Sequence, residues 1–176
     1  QMCIRDRIRN NHSATHLLHE SLRRELGSHV TQKGSLVTDK KLRFDFTNNK
    51  PLSKEQLENI ELVVNDAIRN NLKIQLKNVP LKEAFENGAI GLFGEKYPET
   101  VRVVNMENNL KNTHNFSSEL CGGTHVDYTG EIGFFKIISE TSVASGIRRI
   151  EAFTGKYSEG FVEEKLKIIE DIKSIL

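Results

Sequence analysis

Two short stretches, far apart in the chain, constrain the fold more than anything else in it. His12-Ser13-Ala14-Thr15-His16 and Cys121-Gly122-Gly123-Thr124-His125 each place two nitrogen or sulfur donors with three residues between them. Together they offer one thiolate and three imidazoles, a full tetrahedral set for zinc. Iron also accepts such donors, although the Cys/His mixture favours zinc. More than 100 residues separate the halves. An ion held by both would pin the N-terminal part of the fold to its C-terminal part.

The first half reads as helical. Ala14, Leu18, Leu22 and Leu26 recur every fourth residue over 11–26, and Gly27 is a natural stop. His12 and His16 then stand one turn apart at the edge of this apolar stripe. The second half cannot repeat that arrangement, because Gly122-Gly123 disfavours a helix. Cys121 and His125 are expected on a tight turn.

The motif is not that of a zinc protease. HExxH needs a Glu after its first His as general base, and Ser13 stands there. A metal-bound Cys121 is likewise not free to act as a nucleophile. The candidates for polar work near the metal are Thr15, Gln32, Ser35 and Thr124. His19 is expected to pack against or support the site, since four donors already complete a tetrahedron. His29 and His114 read as ordinary polar residues. Because closed four-donor sets are characteristic of structural zinc, a metal staple without catalysis stands beside a hydrolytic site.

The rest of the chain alternates elements of both kinds. A hairpin is expected over 34–47, with Leu42, Phe44 and Phe46 on one face and a turn at Thr38-Asp39-Lys40. Ser53 and Gln56 form a capping-box pattern ahead of a helix over 53–71. Strands follow at 72–77 and around Val101–Val104, with a short helix at 81–87 and a close-packed glycine-rich loop at 88–94 between them. Residues 133–138 and 147–153 read as two more strands. Ser142–Gly146 between them is small enough for close approach by a ligand. Residues 157–176 carry an apolar stripe (Val162, Leu166, Ile169, Ile172, Leu176) like the start of a coiled or bundled helix. The expected class is α+β, an antiparallel sheet packed with helices and ending in the start of a long helix. Residues 1–7 read as a leader of doubtful nativeness, which discounts Cys3.

Composition mainly excludes. Net charge is +1, so any nucleic-acid partner must be met by local basic clusters such as Lys40/Lys41/Arg43 and Arg148/Arg149. No stretch approaches the roughly 20 apolar residues of a membrane span, and no secretory signal is visible. Two cysteines rule out a disulfide framework and fit a reducing, cytoplasmic setting.

Five segments, in one order over residues 8–155, resemble the editing domain of alanyl-tRNA synthetases. They are Arg9–His19, Gln32–Val37 with Leu42–Phe46, Gly88–Tyr97, Glu119–His125 and Gly146–Ala152. Threonyl-tRNA synthetases and free-standing alanyl-tRNA editing proteins share the related domain. The resemblance implies the threonyl/alanyl-tRNA synthetase second-additional-domain fold and hydrolysis of tRNA(Ala) mischarged with serine or glycine. It implies His12, His16, Cys121 and His125 as zinc ligands, and Thr15, Gln32 and Ser35 as pocket residues that assist hydrolysis. Thr124 would bind substrate beside the metal, and Lys33, Arg148 and Arg149 would hold the terminal phosphates of the tRNA acceptor end. Residues 8–155 would be the editing domain and 156–176 the start of a helical linker. The rest of a synthetase chain is the expected partner, with no aminoacylation domain here. A free-standing editing protein and a zinc-stapled tRNA-binding module remain as alternatives.

Overall fold

The computed structural model describes residues 3–92, 94–107 and 115–175. Helix α1 spans Ile4–Leu26 and buries Ala14, Leu17, Leu18 and Leu22 completely. It begins seven residues before the expected start, inside the stretch read as a leader. No apolar stripe marks residues 4–10; polar contacts hold them instead. Arg7 pairs with Asp39 at 3.1 Å, and Asn10 donates to the Glu131 carbonyl at 2.9 Å.

Strands β1 (Gln32–Val37) and β2 (Leu42–Thr47) form the expected hairpin, closed by Thr38 N donating to the Lys41 carbonyl at 3.0 Å. Leu42, Phe44 and Phe46 are fully buried beneath α1 and helix α2 (Lys54–Arg69). Ser53 and Gln56 close the capping box at the start of α2. Strand β3 (Ile74–Pro80) starts two residues later than expected, because Asn71 turns the chain at φ 47°. Helix α3 (Leu81–Glu86), strand β4 (Thr100–Met106) and strand β5 (Ser117–Leu120) follow. A single 3-10 turn at Thr129–Ile132 leads into β6 (Phe135–Ala144) and β7 (Ile147–Thr154).

The strands form two antiparallel sheets rather than one. Their orders are β1-β2-β7-β6 and β3-β4-β5. Helix α1 touches both, meeting β1, β2 and β7 on one side and β5 on the other. One continuous core therefore runs from Phe44, Ile150 and Phe135 to Val104, Met106 and Val126. A smaller cluster of Ala84, Ala89, Val101 and Val103 lies beneath α3.

Ser142–Gly146 does not form the expected flexible ligand loop. Ser142, Val143 and Ala144 continue β6, and only Ser145-Gly146 turns, with Gly146 at φ 71°. That is a two-residue hairpin connection, in which glycine supplies the left-handed backbone. The last helix, α4 (Lys156–Lys173), anchors Phe161 against Phe153 at 5.9 Å and leaves Leu166, Ile169 and Ile172 about half exposed. Leu176 and His114 lie outside the described residues, as does Phe93 in the glycine-rich loop. No helix among the described residues is long and apolar enough to cross a membrane.

Candidate metal centre and adjoining cavity

Helix α1 delivers His12 and His16 to one point, and the loop after β5 delivers Cys121 and His125 to the same point. All four donor atoms lie within 4.8 Å of one another. Cys121 Sγ is 3.4 Å from His12 Nε2 and 3.4 Å from His125 Nε2. Zinc bonds of about 2.3 Å to sulfur and 2.0 Å to nitrogen, at tetrahedral angles, would separate S and N by about 3.5 Å. These two sulfur–nitrogen spacings thus fit such an ion.

The outer nitrogens are also engaged. His12 Nδ1 lies 3.2 Å from the Thr124 carbonyl, and His125 Nδ1 lies 3.2 Å from Ser13 Oγ. His16 Nδ1 lies 3.0 Å from Glu119 Oε2. The Thr124 carbonyl and the Ser13 hydroxyl thus hold the His12 and His125 rings with Nε2 toward Cys121, the usual support for histidines that bind a metal. Ser13, which takes the place of the protease Glu, is fully buried and also accepts from Val126 N at 3.1 Å. Gly123 packs against the His12 ring so closely that any side chain there would overlap it.

The charges follow from this crowding. Burial pushes the Cys121 thiol up, but hydrogen bonds from His12, His125 and His16 outweigh it and bring it down to about 3. Burial pulls the His16 imidazole down, but the Glu119 carboxylate and Cys121 raise it to about 10. His125 goes the other way: burial lowers it to about 4, beside two other imidazoles. Glu119 is buried, which raises it, yet His16 and His19 hold it well below the carboxylate range. Without metal the cluster is therefore a thiolate–imidazolium pair, with the thiolate already in its ligating form.

A cavity of about 400 Å³ opens beside this cluster. His12, His16 and Cys121 form its floor; Thr15, Gln32 and Ser35 stand on one wall. The opposite wall is the glycine-rich loop, through Ile90, Gly91 and Leu92, with Tyr97 and Arg102. That loop is packed as expected. Ile90 N donates to the Ser118 carbonyl at 2.9 Å, Leu120 N donates to the Ile90 carbonyl at 2.8 Å, and Tyr97 Oη accepts from Leu92 N at 2.7 Å.

Thr15 spends its hydroxyl proton on the Asn11 carbonyl at 2.8 Å, so toward the cavity it can only accept. Among the described residues the Gln32 side chain has no intramolecular hydrogen bond, leaving its amide for a ligand. Thr124 contributes its carbonyl to His12 but is exposed and outside the cavity lining. Lys33 is exposed on β1 beside Gln32. His19 packs its ring 5.3 Å from Phe44 and reaches Glu119 at 3.2 Å.

Arg148 and Arg149 do not join the site. Arg148 forks onto Glu140 at 2.5 and 2.7 Å, and Arg149 forks onto Asp45 at 2.7 and 2.8 Å. Neither borders the cavity. Each would have to release a carboxylate to hold a phosphate. Their partners sit on other strands, which is why the bare Arg-Arg pair looked available. Sequence reading also passed over the supporting roles of Ser13, Glu119, Arg102 and Arg9, whose Nε donates to the His125 carbonyl at 2.6 Å. Only Glu119 left a visible signal, a lone carboxylate two residues before Cys121.

Residues 101–151 match the domain family described as Threonyl and Alanyl tRNA synthetase second additional domain. An alanine–tRNA ligase of Cytophaga hutchinsonii is 52% identical over 168 residues, covering 95% of this chain and 18% of the ligase. That of Parvibaculum lavamentivorans is 49% identical over 174 residues, covering 98% of this chain and 20% of the ligase. The chain thus spans about a fifth of the length of the curated relatives it matches.

Proposed function

We propose, from the premise that this chain is a relative of the alanine–tRNA ligases carrying the second additional domain, that it hydrolyses mischarged tRNA(Ala). The substrates in this reading are Ser-tRNA(Ala) and Gly-tRNA(Ala), and the bond cleaved is the ester at the tRNA 3′ end. The single observation that carries the reading is the shared cavity: the four-donor cluster floors a space that also holds Thr15, Gln32 and Ser35. A cytoplasmic setting goes with a tRNA substrate, and residues 8–155 would be the working domain, with 156–176 leading toward the rest of a synthetase.

The need for such a site is physical. A pocket selecting alanine rejects an added hydroxyl by only about 10²-fold, so a second, hydrolytic sieve is useful. Zinc, held by His12, His16, Cys121 and His125, would supply a fixed positive charge beside the ester. Thr15 Oγ1 accepts the serine hydroxyl, because its own proton is committed to Asn11. The Gln32 amide and the Ser35 hydroxyl orient the ester and the attacking water across from it. Thr15 thus selects the serine ester over the alanine ester, which offers it no hydroxyl; it does not select glycine, which lacks the hydroxyl as well. Lys33 adds positive charge beside Gln32 for the terminal phosphates. Arg148 and Arg149 have no part in this account.

The closed donor set favours one other reading, a zinc-stapled tRNA-binding module without chemistry. Incubating the protein with Ser-tRNA(Ala) and Ala-tRNA(Ala) separates the two. The expected outcome is rapid loss of the serine ester alone, greatly slowed by Gln32→Ala and by Cys121→Ala. Serine ester that is bound but decays no faster than in buffer would establish the module instead. Metal analysis of purified protein checks zinc separately, with one equivalent expected.

A further inference from the structure

We propose that Arg102 is a positioning residue that sets the Cys121–His125 loop for its metal by clamping the backbone on either side of Gly122. The proposal rests on the reading of the four-donor cluster as a metal site.

The loop is the weak half of that cluster. His12 and His16 ride on a helix, whereas Cys121 and His125 are joined through two consecutive glycines with the greatest backbone freedom of any residue. Gly122 has no neighbour within 4 Å of where a Cβ would stand, so side-chain packing does not fix it. Arg102 does. Its backbone carbonyl accepts from Cys121 N at 3.1 Å, extending the β4–β5 ladder by one rung. Its guanidinium then reaches past the strand end. Nε donates to the Cys121 carbonyl at 2.8 Å, and Nη2 donates to the Gly123 carbonyl.

One planar cation therefore spans two carbonyls, at positions i and i+2. With those carbonyls turned toward Arg102, the Gly123 N–H points back to Cys121 Sγ at 3.4 Å. A hydrogen bond of this kind supports the thiolate. The same turn brings Gly123 against the His12 ring. The fork is the essential feature. A lysine would keep the charge and most of the stem but could not hold two carbonyls in a fixed plane.

The test uses the 176-residue protein and its Arg102→Ala and Arg102→Lys variants. Zinc affinity is measured by competition with a chromophoric chelator, and the visible spectrum is recorded after cobalt(II) replacement. Both variants are expected to bind zinc about 10–100-fold more weakly, the usual effect of losing a group that orients a ligand. Their cobalt bands should shift or broaden as the thiolate moves. A purely structural arginine would lower the unfolding temperature and leave affinity and spectrum unchanged, which overturns the proposal. If Arg102→Ala does not fold, Arg102→Lys decides, and wild-type affinity in that variant also overturns it. Failure of the unaltered protein to bind zinc overturns the metal-site reading first, and the clamp with it.

Discussion

The thiolate–imidazolium pair makes a specific demand on the pH dependence of the metal-free protein. Cys121 is lowered on folding from 9.0 to about 3. Its contribution is fully present above pH 9 and shrinks as the pH falls. His16 is raised from 6.5 to about 10. Its contribution is fully present below pH 6.5 and shrinks as the pH rises. Between 6.5 and 9 the unfolded chain carries the cysteine proton and the folded chain carries the His16 proton. The difference in bound protons is zero, so the two slopes cancel and stability is flat.

Below pH 6.5 the balance breaks. The unfolded His16 is now protonated too, so its slope vanishes while that of Cys121 persists. His125, lowered from 6.5 to about 4, adds a second slope of the same sign. Two protons at about 1.4 kcal/mol each per pH unit would give about 4 kcal/mol between pH 6.5 and 5. Cys121 is only half-buried, and screening by solvent reduces this to about 2 kcal/mol. At this chain length that is about 4–8 °C in unfolding temperature.

The assay is thermal unfolding of chelator-treated protein from pH 5 to 9.5 at fixed ionic strength. Two variants split the plateau in opposite directions. Cys121→Ser removes the rising limb, so stability should fall between pH 6.5 and 9 by about 1–3 kcal/mol. Glu119→Gln removes the main support of the His16 charge, so stability should rise across the same interval. A wild-type curve flat from pH 5 to 6.5, with no tilt in either variant, would refute the charge pair.

Three further substitutions test close contacts, two at the cluster and one between α2 and the Thr129–Ile132 turn. Gly123→Ala should weaken metal binding by at least about tenfold, because the new methyl group occupies the place of the His12 ring. Gly122→Ala, which meets open space, should bind nearly as well as the unaltered chain in the same chelator competition. Thr129→Val should cost about 2–3 kcal/mol in urea unfolding. Its hydroxyl accepts from Leu72 N and donates to the Ala67 carbonyl, each at 2.7 Å, and both groups are left buried without a partner.

What the sequence disclosed follows the range of the interactions involved. The β1–β2 alternation and the α2 capping box are local patterns that gave their elements within two residues, and the α1 stripe gave that helix from residue 11 onward but not its first two turns, which polar contacts hold. The donor quartet was legible despite its long separation, because Cys and His are few here and their spacing is chemical. The division into two sheets was not legible. It depends on β2 pairing with β7, a partnership between residues about 105 apart whose side chains carry no mark of it. The same applies to the arginines. Arg148 and Arg149 looked like a basic patch until Glu140 and Asp45 were found in their forks, whereas Arg102 looked unremarkable until it was found against the Cys121 loop.

That placement bears on what a metal held by this cluster would do. Helix α1 lies against the four-stranded sheet, while the Cys121 loop leaves the end of the three-stranded one. The cavity lies along the seam, with walls from both sheets. An ion held by both donor pairs would join helix α1 to the Cys121 loop, so chelation would disturb the pocket even if the metal never touched a substrate. Loss of hydrolysis after chelation would therefore not establish a chemical role for the metal. The lining makes a finer distinction available. His12, His16 and Cys121 border the cavity and His125 does not. A ligand in the cavity meets the cluster from the side of those three donors. Substrate analogues that approach the ion should therefore perturb the cobalt(II) spectrum at saturating concentration. Analogues bound only by Thr15, Gln32 and Ser35 should leave it unchanged, and that result would assign the metal to architecture.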